Sequence, residues 1–401
     1  MPVAWTCWVM LACAPAGRAG VEMGPTGAAA APASSAPAPA AGGPASRPAG
    51  TVYRNPTRYN TFPDVQRLPD GRLLCVFRDA ARAQPIKHIE PDARIVGCLS
   101  ADHGLTWSEP FVIYDDPDCQ NDPSLAVLRD GRLMLTFFNW SGLHADFVAR
   151  YHPPFVRKVD RGAWGTYAEV TGVFLLEGTA DPLAWQRRAR RVAGGPSHMH
   201  ATSSAILETV KGTLLLPIYG HGTQREADEA YVLRSTDGGK SWSPPILMAT
   251  DPAGRIEMQE PALGQAANGD VVCLMRTANA EDHLYVTRSS DDGLTWSAPQ
   301  RSPIIGHPAD VDLLPDGRLL AVYGYRHAPF GVRACLSTDH GRTWDLSREI
   351  ILTAGGQHGD LGYPSACLTG DGHVLVVWYM NAAGTNDRWI ESRRIPLADL
   401  K

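Results

Sequence analysis

A chain of 401 residues, 44% of them hydrophobic, is long enough to bury a substantial core. Its formal net charge of −5 offers no basic footprint for nucleic acid or for an anionic membrane surface, so partners of those classes are not expected. From the N-terminus, "AWTCWVMLACAPA" (4–16) is an apolar stretch too short to span a bilayer, and it reads as the core of an export signal. "MLAC", ending at Cys13, has the outline of a lipoprotein cleavage site. The Ala/Pro/Ser/Gly tract over 27–50 has nothing to pack and reads as a disordered tether. We therefore expect residues 1–50 to be a leader and linker on an exported protein (periplasmic, extracellular or lipid-anchored), with no transmembrane span.

The rest of the chain repeats. "RLPDGRLLCVF" (67–77), "VLRDGRLMLTF" (127–137), "ETVKGTLLLPI" (208–218), "QAANGDVVCLM" (265–275), "LLPDGRLLAVY" (313–323) and "CLTGDGHVLVV" (367–377) each join a Gly-containing polar turn to an apolar run. That is a hairpin signal. The turn glycines stand 60, 81, 57, 48 and 55 residues apart. Six such units with almost no helical periodicity predict an all-β chain, a six-bladed β-propeller of four-stranded antiparallel blades over 51–401. The long gap predicts an insertion in blade II at about 139–197.

A louder repeat lies between these units: "LSADHGLTWS" (99–108), "RSTDGGKSWS" (234–243), "RSSDDGLTWS" (288–297) and "LSTDHGRTWD" (336–345). Asp can accept backbone N–H bonds across the turn, Gly admits positive φ, and Trp covers the hairpin end. Four symmetric copies cannot all face one site, so the motif reads as architecture. The cysteines beyond the leader form no C-x-x-C pair and mostly sit in apolar strand runs, so no redox or metal centre and no cofactor is expected.

Chemistry belongs where the innermost strands meet at the propeller axis. The segments entering the hairpin units are "TFPDV", "QNDPSL", "HMHATSS", "MQEPAL", "HPADVDL" and "LGYPSA". They bring Asp64, Asn121, Asp122, His198, His200, Glu260, Asp310, Asp312, Asp360 and Tyr363 toward one rim, a set suited to a polar ligand such as a sugar.

The S-x-D-x-G-x-[TS]-W boxes are the Asp-box signature, and on a six-bladed pattern residues 53–392 resemble the sialidase (neuraminidase) superfamily. The resemblance implies a retaining exo-glycosidase that hydrolyses a terminal acidic sugar, sialic acid or similar, from a glycan. By that likeness Tyr363 in "GYPSA" is the nucleophile, and Glu260 in "QEPAL" takes its proton. Asp92, before "RIVGCLS", is the acid/base. Arg276 and Arg333, with Arg326 as a competitor for the last place, grip the substrate carboxylate, while Asp122 and His200 add contacts. A phenol needs such a base to become nucleophilic, and Tyr in place of a carboxylate avoids repulsion by an acidic sugar.

The chain also departs from the pattern. Thr61 stands where the family's first Arg belongs, with Arg54, Arg58 and Arg78 nearby but out of register. Trp378 and Tyr379 occupy the place of the Glu that braces that Arg. Two other readings therefore stay open: a propeller lyase or hydrolase of another acidic glycan using rim histidines (His198, His200, His221) and acids, or a carbohydrate-binding propeller without turnover. A monomer is expected.

Overall fold

The computed structural model describes residues 50–400 apart from 83–87, 180, 182, 187, 195–197, 225, 226 and 383–386. The leader and linker expected up to residue 50 fall almost wholly outside the described residues.

The described chain forms six antiparallel blades of four principal strands. Blade I runs Arg58–Arg67, Leu73–Ala81, Arg94–Ser100 and Phe111–Tyr114. Blade IV runs Glu257–Gln265, Val271–Ala278, His283–Ser289 and Gln300–Ile305. Blade V runs Ala309–Leu313, Leu319–Tyr325, Gly331–Ser337 and Asp345–Ala354. In blade III the first strand is broken, His198–Ala201 and Leu207–Glu208 both pairing with Leu214–Gly222. Blade VI takes only Gly362–Leu368, His373–Asn381 and Arg388–Pro396 from the end of the chain. Its fourth strand is Thr51–Tyr53 from the start, so the two ends of the described chain close the ring. The first strands of blades VI and I, I and II, III and IV, IV and V, and V and VI pack on one another about the axis.

Six apolar clusters fill the six gaps between neighbouring blades. Leu74 and Ile95 meet Leu125 and Leu135 between blades I and II, and Val272 and Leu274 meet Leu319 and Ala321 between IV and V. Blades buried on both faces read as near-continuous hydrophobic runs, and that is the pattern after each Gly turn. Each such side chain contributes about 1.5–3 kcal/mol on burial.

The Asp boxes turn the third strand into the fourth in blades I, III, IV and V. In every copy the Ser hydroxyl donates to the Asp at 2.8 Å and accepts from the box Gly N–H at 2.8 Å. The box Gly has φ between +77° and +88°. A Cβ on Gly104, Gly239, Gly293 or Gly341 would lie within 3.0 Å of Leu375, Met134, Leu215 or Val272, each in the preceding blade. The box is an inter-blade clip, which explains why it recurs far from any shared pocket.

Blade II carries the extra chain. Its second and third strands, Leu133–Leu143 and Tyr167–Gly178, extend past the blade proper and are joined through a short helix, Ala145–Tyr151, and a strand, Val156–Lys158.

Candidate active site

Four first strands share one irregularity. At Phe62-Pro63, Asp122-Pro123, Glu260-Pro261 and Tyr363-Pro364 the ladder slips by a bulge, and the residue before proline has φ of 55°, 48°, 45° and 47°. Non-glycine residues take this left-handed region rarely, at a cost of order 1–3 kcal/mol. A bulge re-aims its side chain, and here all four side chains line one cavity of about 680 Å³. Phe62, Asp122 and Tyr363 also border a second cavity of about 440 Å³, lined by Asp64, Asp310 and Asp312, so they form a floor between the two.

On that floor the Tyr363 hydroxyl donates to Glu260 Oε1 at 2.5 Å, and Arg276 donates to the same oxygen at 2.9 Å. Glu260 Oε2 is buried with no partner among the described residues. Burial pushes the Tyr363 phenol well above its ordinary value, with the charges of Glu260 and Asp122 adding to it and Arg276 and Arg326 opposing. The pair is a phenol with its base attached, in a site where a free phenolate is disfavoured until a proton acceptor is engaged. Asp122 bonds Ser203 at 2.5 Å. Burial, then the charge of Glu260, raises Asp122 to about 8, so it carries a proton at neutral pH.

Cations surround this pair. Arg326 lies 5.5 Å from the Tyr363 ring centroid, and its Nε has no partner among the described residues. Arg157, from the extra chain of blade II, lies over Trp140 at 5.1 Å, and both line the cavity. His307 is pushed down to about 2 by burial, then by Arg326 and Arg276, and is neutral. Asp360 accepts from Tyr59 at 2.5 Å, Tyr379 at 2.8 Å and Arg388 at 2.8 Å, and lies 3.3 Å from His88. Burial opposes its charge, yet His88, Arg388 and Tyr59 hold it well below the usual carboxylate range.

Of the residues expected from sequence, Tyr363, Glu260, Arg276, Arg326 and Asp122 meet at this cavity. Asp92 does not line it; its carboxylate accepts from Arg58 at 2.6 Å and from the Ala81 N–H at 2.8 Å. Arg333 lies on the third strand of blade V, away from the axis, paired with Glu349 at 2.7 Å and over Tyr325. His200 faces away for a plain reason. On a strand of period two, Met199 and Ala201 line the cavity, so His198 and His200 project to the other side. Burial lowers His200 to about 4. His221 is tied to Asp228 at 2.6 Å. Among the described residues no three His, Cys, Asp or Glu side chains are arranged to hold a metal ion.

Around the absent first Arg, Arg54 pairs with Asp387 and Arg58 with Asp79. Arg78 stands across the ladder from Thr61, fully buried and outside the cavity lining. Sequence reasoning missed Phe62, although it shares the X-Pro signature of Asp122, Glu260 and Tyr363. It also missed His88, Trp140 and Arg157, which belong to loops and an insertion with no repeat to align.

The family model described as a BNR repeat-like domain matches residues 168–376. No curated protein matches the chain. Among solved structures, a Dyadobacter fermentans protein of unknown function superposes with a TM-score of 0.77 and 27% identity, covering 87% of this chain and 97% of that one. The Hadza microbial sialidase Hz136 gives 0.65 and 17%, covering 88% and 70%. An alpha-L-arabinanase from Penicillium chrysogenum, complexed with arabinobiose, gives 0.61 and 16%, covering 89% and 100%.

Proposed function

The chain belongs to the BNR repeat-like domain family, and from that premise we propose that it is a glycoside hydrolase removing a terminal, carboxylate-bearing sugar from glycans. The observation that carries this reading is the Tyr363–Glu260–Arg276 chain of short hydrogen bonds on the cavity floor. Tyr363 Oη attacks the anomeric carbon while its proton passes to Glu260. Asp122, protonated at neutral pH, gives its proton to the leaving oxygen as the glycosidic bond breaks; in the second step it takes a proton from the water attacking the anomeric carbon, the bond from that carbon to Tyr363 Oη breaks, and Glu260 returns the phenol proton. Arg276 and Arg326 hold the sugar's carboxylate through charge-assisted bonds. The floor of Phe62, Asp122 and Tyr363 favours entry of a chain end and thus exo action. Sialidase and arabinanase neighbours of the same fold support the hydrolase class. Export through the apolar stretch 4–16 belongs to the same proposal and is checked by cell fractionation of the full chain.

A second reading rests on Thr61 and the buried Arg78. With Arg276 and Arg326 the only arginines beside the phenol among the described residues, a hydrolase of a neutral sugar is the rival. The test is turnover of a fluorogenic panel (sialoside, uronide, arabinofuranoside) by the protein and its Tyr363→Phe and Asp122→Asn variants. Turnover of an acidic member that collapses in both variants supports the proposal. Cleavage of the arabinofuranoside alone supports the rival, and loss in Asp92→Asn but not Asp122→Asn moves the acid/base role to Asp92.

A further inference from the structure

The extra chain of blade II has two parts of opposite character. Its foot is locked into the fold. Val159 and Ala168 are buried in one apolar cluster with Ile89, Phe138 and Trp140, three residues that also line the cavity. Arg161 pairs with Glu90 at 2.5 Å, and the Trp164 indole donates to Pro117 O at 2.9 Å. Trp164 also rests on Gly142, where a Cβ would lie 2.1 Å from its carbonyl oxygen. The helix above, Ala145–Tyr151, buries no residue at all. It carries Phe147 and Tyr151 four apart on one face, ring centroids 4.8 Å from each other, 44% and 58% exposed. The Arg150 guanidinium lies 5.2 Å from the Tyr151 ring. Each ring keeps about half of its surface in solvent, although the foot holds the segment in place.

Their position is bounded by the chain. Trp140 lies seven residues before Phe147 and Arg157 six after Tyr151, and both line the cavity. A six-residue tether reaches at most about 20 Å, so the aromatic pair stands within a few sugar units of the mouth. A cavity of about 680 Å³ closed by a floor takes the end of a glycan, and the remainder must emerge over the rim.

We propose that Phe147 and Tyr151 form a platform for the neutral sugar residues on the leaving-group side of the glycan. Two exposed rings tilted 45° to one another, with the Arg150 guanidinium beside Tyr151, match a pyranose, which offers an apolar C–H face and a hydroxyl edge. A protein partner is a poorer match, because a stable protein interface takes about 20–30 residues a side and this helix offers two rings. The inference rests on the hydrolase reading above and adds the reason for the insertion.

The experiment compares two substrates with the same terminal sugar, one a small aryl glycoside and the other an oligosaccharide with two neutral sugars beyond the scissile bond. In Phe147→Ala/Tyr151→Ala the KM for the oligosaccharide should rise about tenfold, while kcat/KM for the aryl glycoside stays within about twofold. Equal change on both substrates, or on neither, overturns the platform. The double variant removes no buried side chain, so its melting temperature should match the parent. A second readout needs no turnover: saturation-transfer NMR of lactose and N-acetyllactosamine with the Tyr363→Phe protein, with and without the double substitution. If the parent cleaves no glycoside the hydrolase reading falls, while saturation transfer to lactose that disappears in the double variant still supports the platform. Saturation transfer that is absent from the outset, or unchanged by the double substitution, overturns it, as does a dimer that the double substitution converts to a monomer.

Discussion

Two features of this molecule occur four times each, and both depend on left-handed backbone. In the Asp boxes the box glycine is left-handed in every copy, the Ser, Asp, Gly and Trp recur unchanged, and each Asp is satisfied within its own turn. Hydroxyl and N–H donors outweigh burial and lower Asp102, Asp237, Asp291 and Asp339. At the X-Pro bulges the left-handed residue is Phe62, Asp122, Glu260 or Tyr363, a different side chain each time, and Asp122 and Tyr363 are raised instead. Repetition of identity marks a clip between blades. Repetition of position with changing identity marks a site, where strain holds unlike groups against one another.

Substitutions in the two features should separate them, most sharply at the floor itself. Tyr363→Phe or Glu260→Gln should cut kcat on the preferred substrate by a factor on the order of 10³ or more, with little change in melting temperature. A box change should do the reverse. Gly293→Ala forces a Cβ into φ +83° and within 2.9 Å of Leu215, and should cost about 1–3 kcal/mol in urea titrations while the folded fraction keeps its kcat.

Next comes the carboxylate grip. Arg326→Ala should raise KM for an acidic glycoside about ten- to a hundredfold, whereas Arg333→Ala and His200→Ala should stay within about twofold because neither lines the cavity. Steady-state kinetics on the three variants decide it.

The smallest effect is on pH dependence. Asp64 is raised to about 7, by burial and then by Asp310, and Asp122 to about 8, by burial and then by Glu260. Both bind a proton more tightly folded than unfolded. Their stabilisation is therefore complete near pH 4 and is lost as pH climbs through about 7 and 8. Melting temperature should fall over that window and fall less in Asp64→Asn. Activity should decline as pH rises through about 8, where Asp122 loses its proton.

Much of this was legible in the sequence for physical reasons. The Gly turns and their apolar runs mark hairpins buried on both faces, and the boxes mark the third turn of a blade. Tyr363, Glu260 and Asp122 were readable as polar groups in the segments that enter the hairpin units, and the family resemblance gave Tyr363 and Glu260 their roles. Phe62, followed by proline as those three are, was passed over because an apolar side chain looks like core. His200 misled because a polar residue at a strand entry faces the axis only if the strand's alternation puts it there. Asp92 and Arg333 were placed by resemblance, and partners such as Arg58 and Glu349 are set by tertiary packing that no spacing reveals. Thr51–Tyr53 completing blade VI is a pairing across nearly the whole described chain, invisible to local pattern.

Chemistry on the bulged floor, at Tyr363, is open to one direct test. The protein is incubated with a fluorinated acidic glycosyl fluoride, whose second step is slow enough to trap a glycosyl-enzyme, and then subjected to intact-protein and peptide mass spectrometry. We expect one sugar adduct on the peptide containing Tyr363, absent from Tyr363→Phe. Turnover of acidic glycosides with the adduct on another residue, or with none, would contradict a Tyr363 nucleophile.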